Sequence, residues 1–526
     1  MRLKTVGFAC VCLVALWPTM SMAAGRSALV DAVRAGDKNA VRALIKARAD
    51  VNAPEEDGTT ALHWAVRAGD LDTVNVLLRA RADVMAANRY GIRPLSLAAV
   101  NGNPAVIEAL LKAGADPNTA NAEGETALMT TARGGSLEAV KMLLAHGATV
   151  NAKEKWLQET ALMWAAAENH AEVVKTLLEV GADINAKSWV TDTPTLTFPK
   201  SGGPNQPFPK GGWTALMYAA RQGSLEAARA LADKGADLNA QDPQGATAME
   251  VAIINLHYDT AALLLDKGAS PNVTNETGMA PLYAVAYMNT LQWIQGRPAP
   301  ALTDDTDAAA LALKLLAKGA DPNVRLKAAV LKRHHDFQSD RTLAEGSTPL
   351  MRAAKLGDAK LAKILLEHGA DPKLVQKDDT NALMIAAGVG LGAVRGEDPH
   401  LLHPSEEGAV DVIKMLLDRG VDINAANNLG LTAVHGAVQR SQGIGNGTGE
   451  KIITLLAERG AKLDAKNKKG QTPLDLARAG EGQILNRTVD SGPTAKLLER
   501  LLADVPAGAQ PEAKAPASQP GDVNRR

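Results

Sequence analysis

The sequence predicts an all-α solenoid of about twelve stacked helix–turn–helix units joined by hairpin-like loops. Three observations carry that prediction. Turn glycines recur 33 residues apart, each introduces the same kind of helix start, and each unit closes on the same loop. Self-similarity at a fixed period of roughly 20–50 residues is the mark of repeat architectures, in which each unit buries its apolar face only by stacking on a neighbour.

The elements follow in order along one unit. Gly58, Gly91 and Gly124 are spaced by 33, and Gly212, Gly245 and Gly278 repeat the spacing. Each glycine precedes a helix start: Thr60-Ala61-Leu62-His63, Arg93-Pro94-Leu95, Thr126-Ala127-Leu128-Met129, Thr214-Ala215-Leu216-Met217, Thr348-Pro349-Leu350-Met351 and Thr472-Pro473-Leu474. A threonine hydroxyl there can cap the helix, and Pro or Ala is tolerated at its first position. The first helix is Ala-rich and ends near a glycine, as at Gly69 and Gly223. Ala65, Ala98, Ala165 and Ala219 are small enough to let two antiparallel helices approach closely. The second helix carries Val74-x-x-Leu77-Leu78, Val140-x-x-Leu143-Leu144 or Ile413-x-x-Leu416-Leu417, and this Leu pair is expected to face the next unit. The unit closes with Gly-Ala-Asp-x-Asn, at Gly114–Asn118, Gly181–Asn185, Gly235–Asn239 and Gly319–Asn323. The glycine supplies a left-handed C-terminal turn, and Asp and Asn bend the chain into the loop.

Taken together these motifs resemble the ankyrin repeat, whose pattern is Thr-Pro-Leu-His-x-Ala-Ala, then Leu-Leu, then Gly-Ala-Asp-x-Asn. Units start near residues 27, 59, 92, 125, 159, 213, 246, 279, 347, 380, 431 and 471, so the resemblance covers nearly all of 27–503. It implies an ankyrin-repeat solenoid and a role in protein recognition. The family histidine survives at His63 and His435 and is mostly Met elsewhere, at Met129, Met163, Met217, Met351 and Met384, which weakens the hydrogen-bonded stitching of loops usual in the family. Residues 25–58 read as an N-terminal capping repeat, 471–503 as a C-terminal one and 504–526, rich in Pro, Ala and Gly, as a disordered tail. Five insertions interrupt the register, at 188–212, 289–307, 327–346, 388–408 and 441–450.

Composition bounds the function. The chain is 46% hydrophobic but only 3% aromatic, with a net charge of -1, which provides no electrostatic footprint for nucleic acid. Residues 1–24 read as a cleaved signal peptide: Arg2 and Lys4 lead an apolar run from Val6 to Trp17 and a small-x-small site at Ser21-Met22-Ala23. That run is too short to span a bilayer, so no stable membrane span is expected in the mature chain. Cys10 and Cys12 fall inside it, leaving a mature chain without thiols. The expected location is periplasmic or secreted.

Nothing in the sequence forms a catalytic motif. The pairs His400/His403 and His334/His335 are too few for a zinc site, which needs three or four converging ligands, and read as loop histidines. The run Gly443–Lys451 has Glu450 between its last glycine and the lysine, unlike a phosphate loop. Neither a metal nor a cofactor is expected, and an enzyme is not. Trp64, Trp164 and Tyr218 share the slot after the His/Met position, where framework packing is the favoured role. Phe198, Phe208 and Trp189 in the first insertion either anchor a partner or pin the loop to the array. Family positions that vary between members lie at the hairpin tips and just after the Ala-Ala pair. Carried over, they give Arg89, Tyr90, Ile92, Glu123, Glu125, Trp156 and Trp213 at the tips, and Arg67, Arg133, Glu168, Arg221, Gln222 and Lys355 on the helices. All are expected to project into a concave groove that binds another protein, one of the cell envelope. Two alternatives remain open: a metal- or ligand-binding accessory module using the histidine-containing insertions, and a secreted host-directed effector.

Overall fold

In the computed structural model the described residues are 27–190, 211–289, 304–328, 343, 345–390, 406–444, 448–481 and 492–504. Residues 1–24, Phe198, Phe208, His334, His335, His400, His403 and the tail beyond 504 lie outside them. Of the fifth insertion, residues 441–444 and 448–450 are helical.

Among the described residues there are 24 helices and no strand, which is twelve helix pairs. They fall into two compact units, one ending at Lys155 and the other beginning at Trp156. In the first unit the pairs are α1 (Ala28–Arg34) with α2 (Lys38–Lys46), α3 (Ala61–Arg67) with α4 (Leu71–Arg79), α5 (Pro94–Asn101) with α6 (Pro104–Lys112), and α7 (Ala127–Gly134) with α8 (Leu137–Ala145). The second unit opens with α9 (Ala161–Ala167) and α10 (Ala171–Glu179), then α11 (Ala215–Gln222) and α12 (Leu225–Asp233), and continues to α24 (Pro493–Ala503). Within each unit the first helix of a pair packs on the first helix of the next, and second helices do likewise.

The local chemistry explains each element. Thr126, Thr160, Thr214 and Thr348 each accept a hydrogen bond from the backbone N–H three residues on, capping the first helix. Ala65, Ala98, Ala165 and Ala219 have no exposed surface, so helix backbones meet over them. In four of the leucine pairs only the first is fully in the core, whereas Leu111, Leu265 and Leu366 are buried beside their partners. Leu77, Leu143, Leu177 and Leu416 are completely buried, whereas Leu78, Leu144, Leu178 and Leu417 are half-buried. The second leucine sits about 100° further round the helix and reaches only the edge of the interface. Some glycines at the loop tips are required twice over. Gly58 has φ +85°, and a Cβ there would meet the Asn88 Cα of the next loop at 3.0 Å.

The loops are hairpin-like, closed by backbone bonds such as Asn88 N–H to the Ile92 carbonyl (3.0 Å) and Asn275 N–H to the Met279 carbonyl (3.1 Å). An Asn or Asp at the turn accepts from two backbone N–H groups, as Asn427 does from Leu429 and Leu431. Histidine stitching survives where histidine does. His63 Nδ1 accepts from the Thr60 N–H at 3.2 Å, which leaves the proton on Nε2 to donate to the Ile92 carbonyl at 3.1 Å. His435 repeats this with Thr432 and the Gln471 carbonyl. The methionines at that slot are buried in its place. A second stitch runs through the Asn of Gly-Ala-Asp-x-Asn. Its side-chain oxygen accepts from a backbone N–H of the next repeat's loop: Asn118 from Thr149 (2.7 Å), Asn239 from Ser270 (2.8 Å), Asn272 from Asp321 (2.8 Å) and Asn323 from Asp371 (2.7 Å). At Met85 the asparagine is missing, and the Asp116 N–H faces the sulfur at 3.4 Å instead.

Candidate protein-binding surface

The first helices and hairpin tips carry most of the residues singled out by the sequence, and in each unit a few of them gather around one aromatic side chain. In the first unit the centre is Trp64, half-buried at the slot after His63. Its indole Nε1–H donates to Glu55 Oε2 at 2.7 Å. The Arg34 guanidinium lies over the ring, 4.5 Å from its centroid, and pairs with the same Glu55 at 3.2 Å. Arg67 lies over that ring too, at 5.5 Å. Cation–π contacts of this kind hold a flexible arginine in one orientation. At the next hairpin tip Tyr90 is 56% exposed, and Arg89 both covers its ring and donates to its hydroxyl at 2.8 Å.

In the second unit, Glu159 holds the aromatic slot from beneath. One of its oxygens accepts from Trp164 Nε1–H at 2.7 Å and the other from the Tyr218 hydroxyl at 2.5 Å. Burial and the bonded carboxylate push the Tyr218 phenol well above its ordinary range. Trp213 stands edge-on to Tyr218 with centroids 5.6 Å apart, and its Nε1–H donates to Asp242 at 3.3 Å. Arg221 lies 5.5 Å from the Trp213 centroid. Trp156 is 72% exposed and Trp189, at the edge of the first insertion, 56%. Further on, the same slots close over. Arg352, in the slot of Trp64 and over the Tyr287 ring at 4.6 Å, is only 2% exposed.

The expected residues thus divide. Arg67, Arg89, Tyr90, Glu123, Arg133, Trp156, Glu168, Arg221 and Gln222 are exposed. Ile92 and Glu125 serve the framework: the Ile92 carbonyl accepts a hydrogen bond from His63 Nε2–H, and Glu125 accepts from Asn121 at 3.0 Å. Trp213 is half-buried. Lys355 corrects the sequence expectation of an open position, because it is buried at 5% exposure among the packed residues of its helix. Its long methylene stem makes such burial feasible. Sequence reasoning missed Glu55 and Glu159, which orient the aromatic slot. The available signal was an acid in the loop just before each tryptophan-bearing helix. Arg34 lies in residues 25–58, which the sequence marks only as a capping repeat.

Among the described residues no group of three or more acidic, His or Cys side chains is placed to hold a metal, and no helix is long and apolar enough to cross a membrane.

Stacked helix pairs, hairpin-like loops and a surface of rigidly held Arg and aromatic side chains define a repeat protein of the recognition-scaffold class. A family model described as ankyrin repeats (3 copies) matches residues 10–88, 95–188, 196–275 and 307–395, well over half of the chain. The chain belongs to the ankyrin-repeat family. It is 30% identical over 285 residues to the E3 ubiquitin-protein ligase KEG of Arabidopsis thaliana, a match covering 49% of this chain and 15% of the ligase. It is 28% identical over 178 residues to the ankyrin repeat protein YahD of Escherichia coli strain K12, covering 32% of this chain and 87% of that protein. Against the human palmitoyltransferase ZDHHC13 the figures are 31% over 156 residues, 26% of this chain and 24% of the relative. The crystal structure of the human ASB11 ankyrin repeat domain matches with a TM-score of 0.38 at 25% identity, covering 47% of this chain and all of that one.

Proposed function

We propose that this chain is an exported ankyrin-repeat scaffold that grips another protein of the cell envelope with its first-helix and hairpin-tip side, the concave face of the array, and carries out no chemistry itself. Ankyrin repeats mark protein–protein interaction, and the observation that carries the finer reading is the pair of clusters around Trp64 and Tyr218. There Glu55 and Glu159 fix the half-buried Trp64 and Tyr218, and the exposed guanidinium groups of Arg34, Arg67 and Arg221 lie over Trp64 and Trp213, bringing together the residue types enriched at interfaces. Holding them before binding lowers the entropy lost on association. The apolar run Val6–Trp17 behind Arg2 and Lys4 supports export to the periplasm or beyond.

The test is affinity capture from native envelope, with the wild-type chain beside a variant carrying Ala at Arg89, Tyr90, Trp156 and Arg221. The variant is expected to keep its helical circular dichroism and lose most of the captured partner. Undiminished capture would place the binding surface elsewhere, and cell fractionation finding the chain in the cytoplasm would remove the envelope from the account.

A further inference from the structure

The residue directly after a buried pair of small or branched residues in the first helices (Ala65-Val66, Ala98-Ala99, Thr131-Ala132) occupies one repeating position. In the first unit that position reads Arg34, Arg67, Val100, Arg133, and all four side chains are exposed, Val100 to 70%. In the second unit the same position runs Ala167, Arg221, Ile254, Tyr287 and the buried Lys355, so the basic run is a property of the first unit alone.

The charges along this row are unequally compensated. Arg34 is paired with Glu55 at 3.2 Å, and Glu55 is also engaged by Trp64 Nε1. Arg67 has no carboxylate within ion-pairing distance among the described residues; its contact is the Trp64 ring at 5.5 Å. A guanidinium oriented by stacking, with its five N–H donors still open, is suited to a carboxylate.

We infer that the first unit binds an extended acidic segment of its protein partner, with a carboxylate on Arg67, an apolar side chain over Val100 and a further carboxylate at Arg133. This deepens the scaffold reading and rests on it. The spacing of the ligand follows from geometry. Packed helices lie about 8–10 Å apart, and an extended polyproline-II chain advances about 3.1 Å per residue with three residues per turn, so side chains three apart share a face. One repeat therefore corresponds to roughly three residues of ligand, so the recognised pattern is acid, then apolar, then acid, each three residues on.

The test is selection from a displayed library of random peptides, panned in parallel against the full chain and its Arg67→Glu variant. The expected result is enrichment of Asp and Glu at a three-residue spacing around an apolar residue on the wild type only. Synthetic copies of those peptides should bind the Arg67→Glu chain about tenfold more weakly or worse, bind Arg67→Lys with a smaller loss, and weaken as salt is raised. Enriched peptides without acidic residues, or acidic peptides indifferent to Arg67→Glu, overturn the inference while the scaffold reading stands. An empty selection overturns it as well, and the scaffold reading is then judged by the envelope capture alone.

Discussion

The Tyr218 hydroxyl donates to Glu159 Oε1 at 2.5 Å across 59 residues of sequence, tying the first helix of one repeat to the loop that opens the repeat before it. A hydrogen bond to a charged acceptor is worth about 1.5–3 kcal/mol when the groups are shielded from water. Tyr218→Phe removes this donor while keeping the ring against Trp213. The expected outcome is a loss of about 1–2 kcal/mol, read as a lower urea midpoint. An unchanged midpoint would mean that the carboxylate is satisfied equally well by solvent.

The asparagine stitch predicts a stabilising change as well as a destabilising one. Asn118 accepts from Thr149 N–H at 2.7 Å and donates to the Gly147 carbonyl at 3.0 Å. Asn118→Ala is expected to cost about 1 kcal/mol, and Met85→Asn to add a comparable amount by restoring the missing link. Paired denaturation curves decide the matter; a Met85→Asn chain no more stable than its parent would show that the sulfur contact already suffices.

Leu143 and Leu144 are adjacent but unequal, the first fully buried and the second half-buried. Leu143→Ala is expected to destabilise by about 2–5 kcal/mol, the range for buried leucines, and Leu144→Ala by about 1. Equal losses at the two positions would contradict the packing described.

Much of this molecule is legible in its sequence for a physical reason. Gly58 must be glycine because its φ is positive and Asn88 leans on it, and Ala65 must be small because another helix lies against it. Constraints of that kind recur in most repeats and so print themselves at a fixed period. What stays hidden depends on neighbours in space. Asn118 looks like a turn former until its partner one repeat away is seen, and Lys355 looks like surface until its helix is packed. The Glu55 and Glu159 carboxylates belong to loops of differing length, so no periodic signal marks them.

The two family histidines make stability depend on pH. Burial pushes His63 and His435 below the ordinary histidine value of 6.5. Below that value the unfolded chain takes up protons that the folded chain refuses, so stability is fully present above about pH 6.5 and declines as pH falls toward the folded-state values. His63→Met, matching the residue used in five other repeats, is expected to flatten part of that decline. Urea midpoints collected across the acidic range check it, and a slope identical to the parent's would absolve His63.

Hydrogen–deuterium exchange of the full chain, with and without its captured partner, tests the binding face most directly. The prediction is added protection in peptides spanning hairpin tips and first helices, such as 85–101 and 213–222, with little change in second helices such as 71–79 and 225–233. Protection concentrated on the second helices would contradict it.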